Sequence, residues 1–127
     1  MIKLLTIDDE LDVCDFIKDF FTQRGYTVLV ALNGRDGLAL VKKEKPRIVF
    51  LDIVMAEMNG LDVLKEIKAF DPSIKVIMVS VADDPVTRLQ ARQSGADEFI
   101  RKPFSKRYLE DVVIQKIIEM TSPVKKE

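Results

Sequence analysis

Hydrophobic and polar positions along this chain switch between two periods. Residues 3–7 are an apolar, β-branched run ending in Asp8-Asp9. From Glu10 onward the apolar residues recur at three- and four-residue steps: Leu11, Cys14, Ile17, Phe20 and Phe21. The run suits a buried strand, and the steps mark one face of an amphipathic helix. Asp8 or Asp9 can cap that helix, and Gly25 can stop it. The same alternation then repeats. Residues 26–31 predict a second strand and Asn33-Gly34 a turn. Leu38 and Val41 mark a second helix, ending in Lys42-Lys43-Glu44-Lys45. Ile48-Val49-Phe50-Leu51 is a continuous apolar run between Pro46 and the loop Met55-Ala56-Glu57-Met58-Asn59-Gly60, as expected of a strand buried on both faces. Leu61, Val63, Leu64 and Ile67 predict a third helix, closed by Asp71-Pro72. Residues 74–79 predict a fourth strand, which ends at Ser80. Asp84-Pro85 pairs a capping acid with a proline at the first helical position, and the helix it opens runs to Gly95. Residues 96–100 predict a fifth strand. Ser105 then caps a last helix carrying Tyr108, Leu109, Val112, Val113, Ile117 and Ile118.

Five strands alternating with five helices predict an α/β fold. The sheet is parallel, its crossovers are right-handed, and helices cover both faces. One domain is expected over residues 1–120, with residues 121–127 as a polar tail or truncated linker.

Composition narrows the function classes. Twenty basic and 21 acidic residues leave a net charge of -1, which argues against a nucleic-acid surface in this domain. Histidine is absent, so no imidazole base, zinc ligand or phosphohistidine can arise on this chain. The single cysteine, Cys14, falls on the apolar stripe of the first helix and reads as core. No apolar run approaches the length of a membrane span, and the amino-terminal residues lack the form of a signal peptide. A cytoplasmic protein is the simplest expectation.

The chemistry-bearing residues stand at strand ends. Asp8-Asp9 follow the first strand, Asp52 the third, Ser80 the fourth and Lys102 the fifth. In an open parallel sheet those ends lie along one edge, and sites form there where the strand order reverses. If the first and third strands are neighbours, three carboxylates converge and repel one another without a cation. An all-oxygen set suits a hard ion, Mg²⁺ before Zn²⁺. A carboxylate beside such an ion, a lysine and a hydroxyl is equipped for phosphoryl transfer. Each residue taken alone has a plain alternative: Asp8 and Asp9 as helix caps, Ser80 as a turn residue, Lys102 as a solvated charge. Their joint placement favours chemistry.

Ile7-Asp8-Asp9-Glu10, Leu51-Asp52-Ile53-Val54-Met55, Met58-Asn59-Gly60, Val79-Ser80, Gly95-Ala96-Asp97-Glu98-Phe99 and Lys102-Pro103-Phe104 together resemble the receiver domains of two-component response regulators. The resemblance covers about residues 2 to 120. It implies the flavodoxin-like doubly wound sandwich of five βα units, with strand order 2-1-3-4-5. It also implies that Asp52 accepts phosphate from a sensor histidine kinase, a phosphotransfer protein or a small donor. Asp9 would bind Mg²⁺ directly and Asp8 through water, with Asp52 and the Val54 backbone carbonyl completing the set. Lys102 would pair with the phosphate, across a cis Lys102–Pro103 bond. Ser80 would move to the phosphate and Phe99 would turn inward. The surface of the fourth helix, fifth strand and fifth helix would then change its affinity for an output protein, an effector domain or a second copy. Such a domain catalyses its own phosphorylation and dephosphorylation with no separate substrate.

Two positions depart from the family pattern. Ala56 stands where a proline is usual, four residues after the acceptor, and Val81 stands where a smaller residue usually follows the switch hydroxyl. Three other readings compete. A dehalogenase-type phosphatase wants an acid at position 54, which is Val54. A flavin binder wants a Ser/Thr/Gly-rich loop where Asp8-Asp9-Glu10 stand. A degenerate receiver, acting as a phosphorylation-independent interaction module, stays open through Ala56 and Val81.

Overall fold

The apolar runs assemble into one parallel sheet in the computed structural model, which describes residues 2–82 and 84–122. The strands are β1 (Lys3–Ile7), β2 (Thr27–Ala31), β3 (Ile48–Leu51), β4 (Lys75–Ser80) and β5 (Glu98–Arg101). Their order is β2-β1-β3-β4-β5, that of the flavodoxin-like fold, with every neighbouring pair parallel. Between them lie α1 (Leu11–Thr22), α2 (Gly34–Glu44), α3 (Gly60–Phe70) and α4 (Pro85–Gln93).

Period-two alternation divides the core between the two faces of the sheet. Leu5, Ile7, Val49, Leu51, Val76 and Met78 pack against Leu38 and Val41 of α2, Val63, Leu64 and Ile67 of α3, and Ala91 of α4. Leu4, Ile48, Phe50, Ile77, Val79 and Ile100 face the other way, onto Ile17, Phe20 and Phe21 of α1 and onto Leu109, Val113 and Ile117. The four residues of β3 are all buried, as expected of a strand covered on both sides. Cys14 is buried and is core, as its place on the helical stripe predicts.

Local chemistry starts most helices where the sequence indicates. Asp84 Oδ2 accepts from the Thr87 N–H and Ser105 Oγ from the Tyr108 N–H. Asn33 and Asn59 also cap, accepting from the Asp36 and Leu61 N–H groups. The start of α1 differs from expectation. Its first residue is preceded by Glu10, and no side chain caps it. Asp8 Oδ1 instead accepts from the Glu10 N–H at 2.9 Å, and Asp9 is drawn to another loop.

The end of the chain also differs. One helix is expected after Ser105. The structure has α5 (Lys106–Tyr108), a π-helical turn (Leu109–Val113) and α6 (Ile114–Thr121) in unbroken succession. Leu109, Val113 and Ile117 are buried at spacings that suit an ordinary α-helix equally, so the apolar pattern carries no trace of the π turn. Strand β5 starts at Glu98, two residues late. Ala96 N–H still closes α4 by bonding the Ala91 carbonyl, while Asp97 N–H already reaches the Val76 carbonyl. Thr121, the first residue of the expected tail, ends α6, and residues 123–127 lie outside the described residues.

Gly60 ties α3 to the end of β3. Its N–H donates to the Ile53 carbonyl at 2.8 Å, and a methyl group in place of its hydrogen would overlap the Asp52 carbonyl oxygen. Backbone atoms cannot swing aside as a flexible side chain does, so the loop itself must shift. Gly60→Ala is expected to lower stability by about 1–3 kcal/mol, as overpacking does. Urea unfolding checks this, and a loss under about 0.5 kcal/mol, ordinary for a surface change, would contradict the close approach.

Candidate functional site

Parallel register brings the carboxyl ends of β1 and β3 side by side. Ile7 is paired with Leu51, and the Asp52 N–H donates to the Ile7 carbonyl at 3.0 Å. The side chains that follow, Asp8 and Asp52, are therefore neighbours at the switch point between β1 and β3. On the other side, Ser80 is opposite Arg101, and the Lys102 N–H donates to the Ser80 carbonyl. This places Lys102 beyond β5 with its side chain free to return over the sheet edge. Asp8, Asp52, Ser80 and Lys102 are all buried, and Asp52 is only 4% exposed.

The Lys102 ammonium is the hub. Its Nζ lies 2.8 Å from Asp8 Oδ2, 2.7 Å from Glu10 Oε1 and 3.3 Å from Asp52 Oδ2. One carboxylate oxygen from each of Asp8, Glu10 and Asp52 falls within 4.8 Å of the others. All donors are hard oxygens. Such a set fits a divalent ion of the Mg²⁺ type, which takes carboxylates together with waters. The second Asp52 oxygen accepts from the Val54 N–H at 3.3 Å. The Lys102–Pro103 peptide bond is cis.

Electrostatics follow from this crowding. Burial first, then the Asp8 charge, pushes the Asp52 carboxyl up to about 6, against the pull of Lys102 and of the Val54 N–H. Burial alone would lower the Lys102 pKa. Hydrogen bonds to Asp8 and Glu10, with the Asp52 charge, outweigh it and hold the ammonium above its ordinary value. The Cys14 thiol lies beneath, donating to the Asp8 carbonyl at 3.4 Å. Burial, with the nearby Asp8 charge, raises it to about 11, so it stays protonated and unreactive.

The other residues singled out from the sequence sit around this centre. Ser80 Oγ accepts from the Ala82 N–H. Asp9 is exposed, outside the group of three, and its Oδ2 accepts from the Ala56 N–H at 3.2 Å. Val54 is 58% exposed. Phe99 lies on β5, half-buried, with the Arg88 guanidinium 4.4 Å over its ring. Glu10 was not singled out from the sequence, yet it makes the shortest contact to Lys102. The signal was present as a third consecutive acid after β1. A helix start explains an acid there equally well, so it did not separate itself. Beside the centre, Glu10, Phe16, Val81, Lys102 and Phe104 help to line a cleft of about 430 Å³. Val81, 65% exposed, stands at its edge.

Comparison with known proteins agrees with this layout. The chemotaxis protein CheY of Thermotoga maritima is 41% identical over 103 residues, covering 80% of this chain and 86% of that protein. The response regulator SaeR of Staphylococcus aureus is 35% identical over 109 residues, covering 86% of this chain but 47% of SaeR. This chain thus spans under half of that longer relative. Among solved structures, a CheY-like receiver domain protein from Methanospirillum hungatei superposes with a TM-score of 0.88 at 28% identity. That match covers 94% of this chain and 96% of the other. The family model for the response regulator receiver domain matches residues 4–114. Strand order, the acids at the β1–β3 switch point and a match across nearly the whole chain lead to one conclusion: this chain belongs to the response regulator receiver domains of two-component signal transduction.

Proposed function

We propose that this domain accepts a phosphoryl group on Asp52 with the help of Mg²⁺, and that phosphorylation switches a partner-binding surface. The observation that carries this reading is the Asp52 carboxylate itself. It is buried at the end of β3, shares the Lys102 ammonium with Asp8 and Glu10, and stands beside Asp8 at the switch point between β1 and β3. The donor would be a sensor histidine kinase, a phosphotransfer protein or a small acyl phosphate. The receiver unit is read as residues 1–120, with the last helix running one residue further, to Thr121.

The step balances without any redox partner. An Asp52 oxygen attacks phosphorus, an O–P bond forms, and the bond from phosphorus to the donor nitrogen or oxygen breaks. The leaving group departs with that electron pair. Asp8, Asp9, Asp52 and the Val54 carbonyl would hold Mg²⁺, and the ion would supply charge neutralisation there. Lys102 is poised to follow the phosphate, since its ammonium already sits 3.3 Å from Asp52. Ser80, at the end of β4, supplies a hydroxyl donor to the same group.

The output surface would be α4, β5 and the last helix, where a cleft of about 380 Å³ is lined by Arg88, Phe99, Arg101, Ser105 and Tyr108 among others. Phe99 leaving the Arg88 guanidinium and turning inward would alter that cleft. A second copy could use the same surface. Against a charge-paired dimer, several acids there already have partners in the chain: Asp97 with Lys68, Glu98 with Lys116, Glu110 with Arg24 and Asp111 with Arg107. We therefore favour an output protein or effector domain as the partner.

Incubation with acetyl phosphate and Mg²⁺, followed by intact mass, tests the acceptor. The parent is expected to gain one phosphoryl group and Asp52→Asn none. A gain by both would move the acceptor elsewhere. No gain by the folded parent, even from a phosphorylated histidine kinase, would leave the degenerate receiver. A second expectation concerns stability without metal. The folded Asp52 carboxyl, near 6, lies above the ordinary aspartate value of about 3.9. The folded state thus holds this proton more tightly, and the stability it gives is present at low pH and lost as pH rises through about 6. Asp52→Asn, a neutral stand-in, should exceed the parent by about 1–3 kcal/mol at pH 8, the gain fading towards pH 4. Urea unfolding in a chelator across that range checks it, and a gain that grows on acidification would reverse the sign.

A further inference from the structure

Two neighbouring acids leave β1 in different directions. Glu10 turns towards Lys102 and lines the 430 Å³ cleft beside Val81. Asp9 turns the other way. With Asn33, Ala56, Glu57 and Met58 it lines a separate cleft of about 220 Å³, between the β2–α2 and β3–α3 loops. A hydrogen bond across 47 residues of sequence holds it there, from the Ala56 N–H to Asp9 Oδ2. We propose that the Ala56 backbone amide is a latch on Asp9: it holds this carboxylate on the β3–α3 loop, outside the Asp8–Glu10–Asp52 group, and so weakens divalent-cation binding at the site.

The argument is one of competition. Asp8, Glu10 and Asp52 each bring an oxygen within 4.8 Å of the others, and Asp9 is not in that set. An ionised carboxylate accepting an amide proton makes a charge-assisted bond, stronger than a neutral one. A cation that recruits Asp9 must draw on the same carboxylate, and where it takes the bonded oxygen or reorients the group, that bond is lost. Both partners are exposed, so water can replace the amide, and the latch restrains Asp9 without locking it. The latch depends on the residue type at position 56 in one respect only. Any residue but proline carries the N–H, and proline has none. Ala56 is thus a positioning residue that acts through Asp9. This inference rests on the reading of Asp9 as a cation ligand.

Mg²⁺ titration of the ¹⁵N-labelled protein tests it. Ala56→Pro is expected to bind Mg²⁺ about twofold to tenfold more tightly, the worth of one released hydrogen bond. Proline also stiffens the loop, which could itself favour binding. The same substitution in an Asp9→Ala background separates the two: the gain should vanish there, and an equal gain in both backgrounds overturns the latch. So does an unchanged or weaker affinity of Ala56→Pro in the parent background. A readout on the unsubstituted protein covers the case of a proline variant that does not fold. The Ala56 amide resonance should shift on Mg²⁺ saturation and shift in the same direction in metal-free Asp9→Ala. Binding that leaves this resonance unmoved overturns the latch while leaving the metal reading intact. No Mg²⁺ binding by the parent overturns both.

Discussion

Three carboxylates at the ends of adjacent strands share one ammonium, and the site depends on that arrangement. Asp8 and Asp52 are buried where β1 and β3 run parallel, at a separation fixed by the sheet. Left alone they would repel in a poorly screened setting, and breaking a buried set of charges costs far more than a surface pair. Lys102 answers that repulsion from β5 across the sheet edge. The repulsion is only partly cancelled, because Asp52 remains hard to ionise while Lys102 remains firmly protonated. A carboxylate left in this condition gains from any further cation or from conversion to a neutral form. The rest of the fold serves to hold the strand ends in register while helices cover both faces.

How much of this is legible in the sequence depends on what kind of physics fixed each feature. Strands and helices are legible because β3 has no polar residue between Ile48 and Leu51, and because α1 carries its apolar residues at helical steps. Strand order needs tertiary pairing, which no local pattern encodes, and it followed from the family resemblance. Caps with a single local partner, Asp84 and Ser105, were legible. Asp8 and Asp9 were not assigned correctly as caps, because each found a partner that local reasoning does not weigh: its own turn for Asp8, a loop 47 residues away for Asp9. The π turn at Leu109–Val113 left no trace, since the buried spacing is shared with an α-helix. Glu10 was missed for a similar reason, an acid at a helix start being unremarkable.

The two departures from the family pattern act on different parts of the site. Val81 is exposed and stands at the edge of the cleft that Glu10 and Lys102 also line. Ala56 stands on the β3–α3 loop, where its backbone N–H donates to Asp9 Oδ2. The first lies beside Lys102 and the second beside Asp9. Neither removes a charged group, so the electrostatic reason for the site is untouched by both.

That separation bears on why the degenerate reading is the weaker one. A receiver that only binds partners has no need to bury an ionisable acid against its will, and neutral replacements at Asp8 or Asp52 would relieve the strain of like charges. This chain keeps both acids, and Glu10 and Lys102 complete a charged group that is costly to hold. Stability alone gives no reason for such a group, whereas the proposed chemistry, which needs an ionised carboxylate beside cations, would give one. The acids and the lysine thus form a charged group held at some expense to the fold, and the proposed phosphoryl transfer is the use that would justify it.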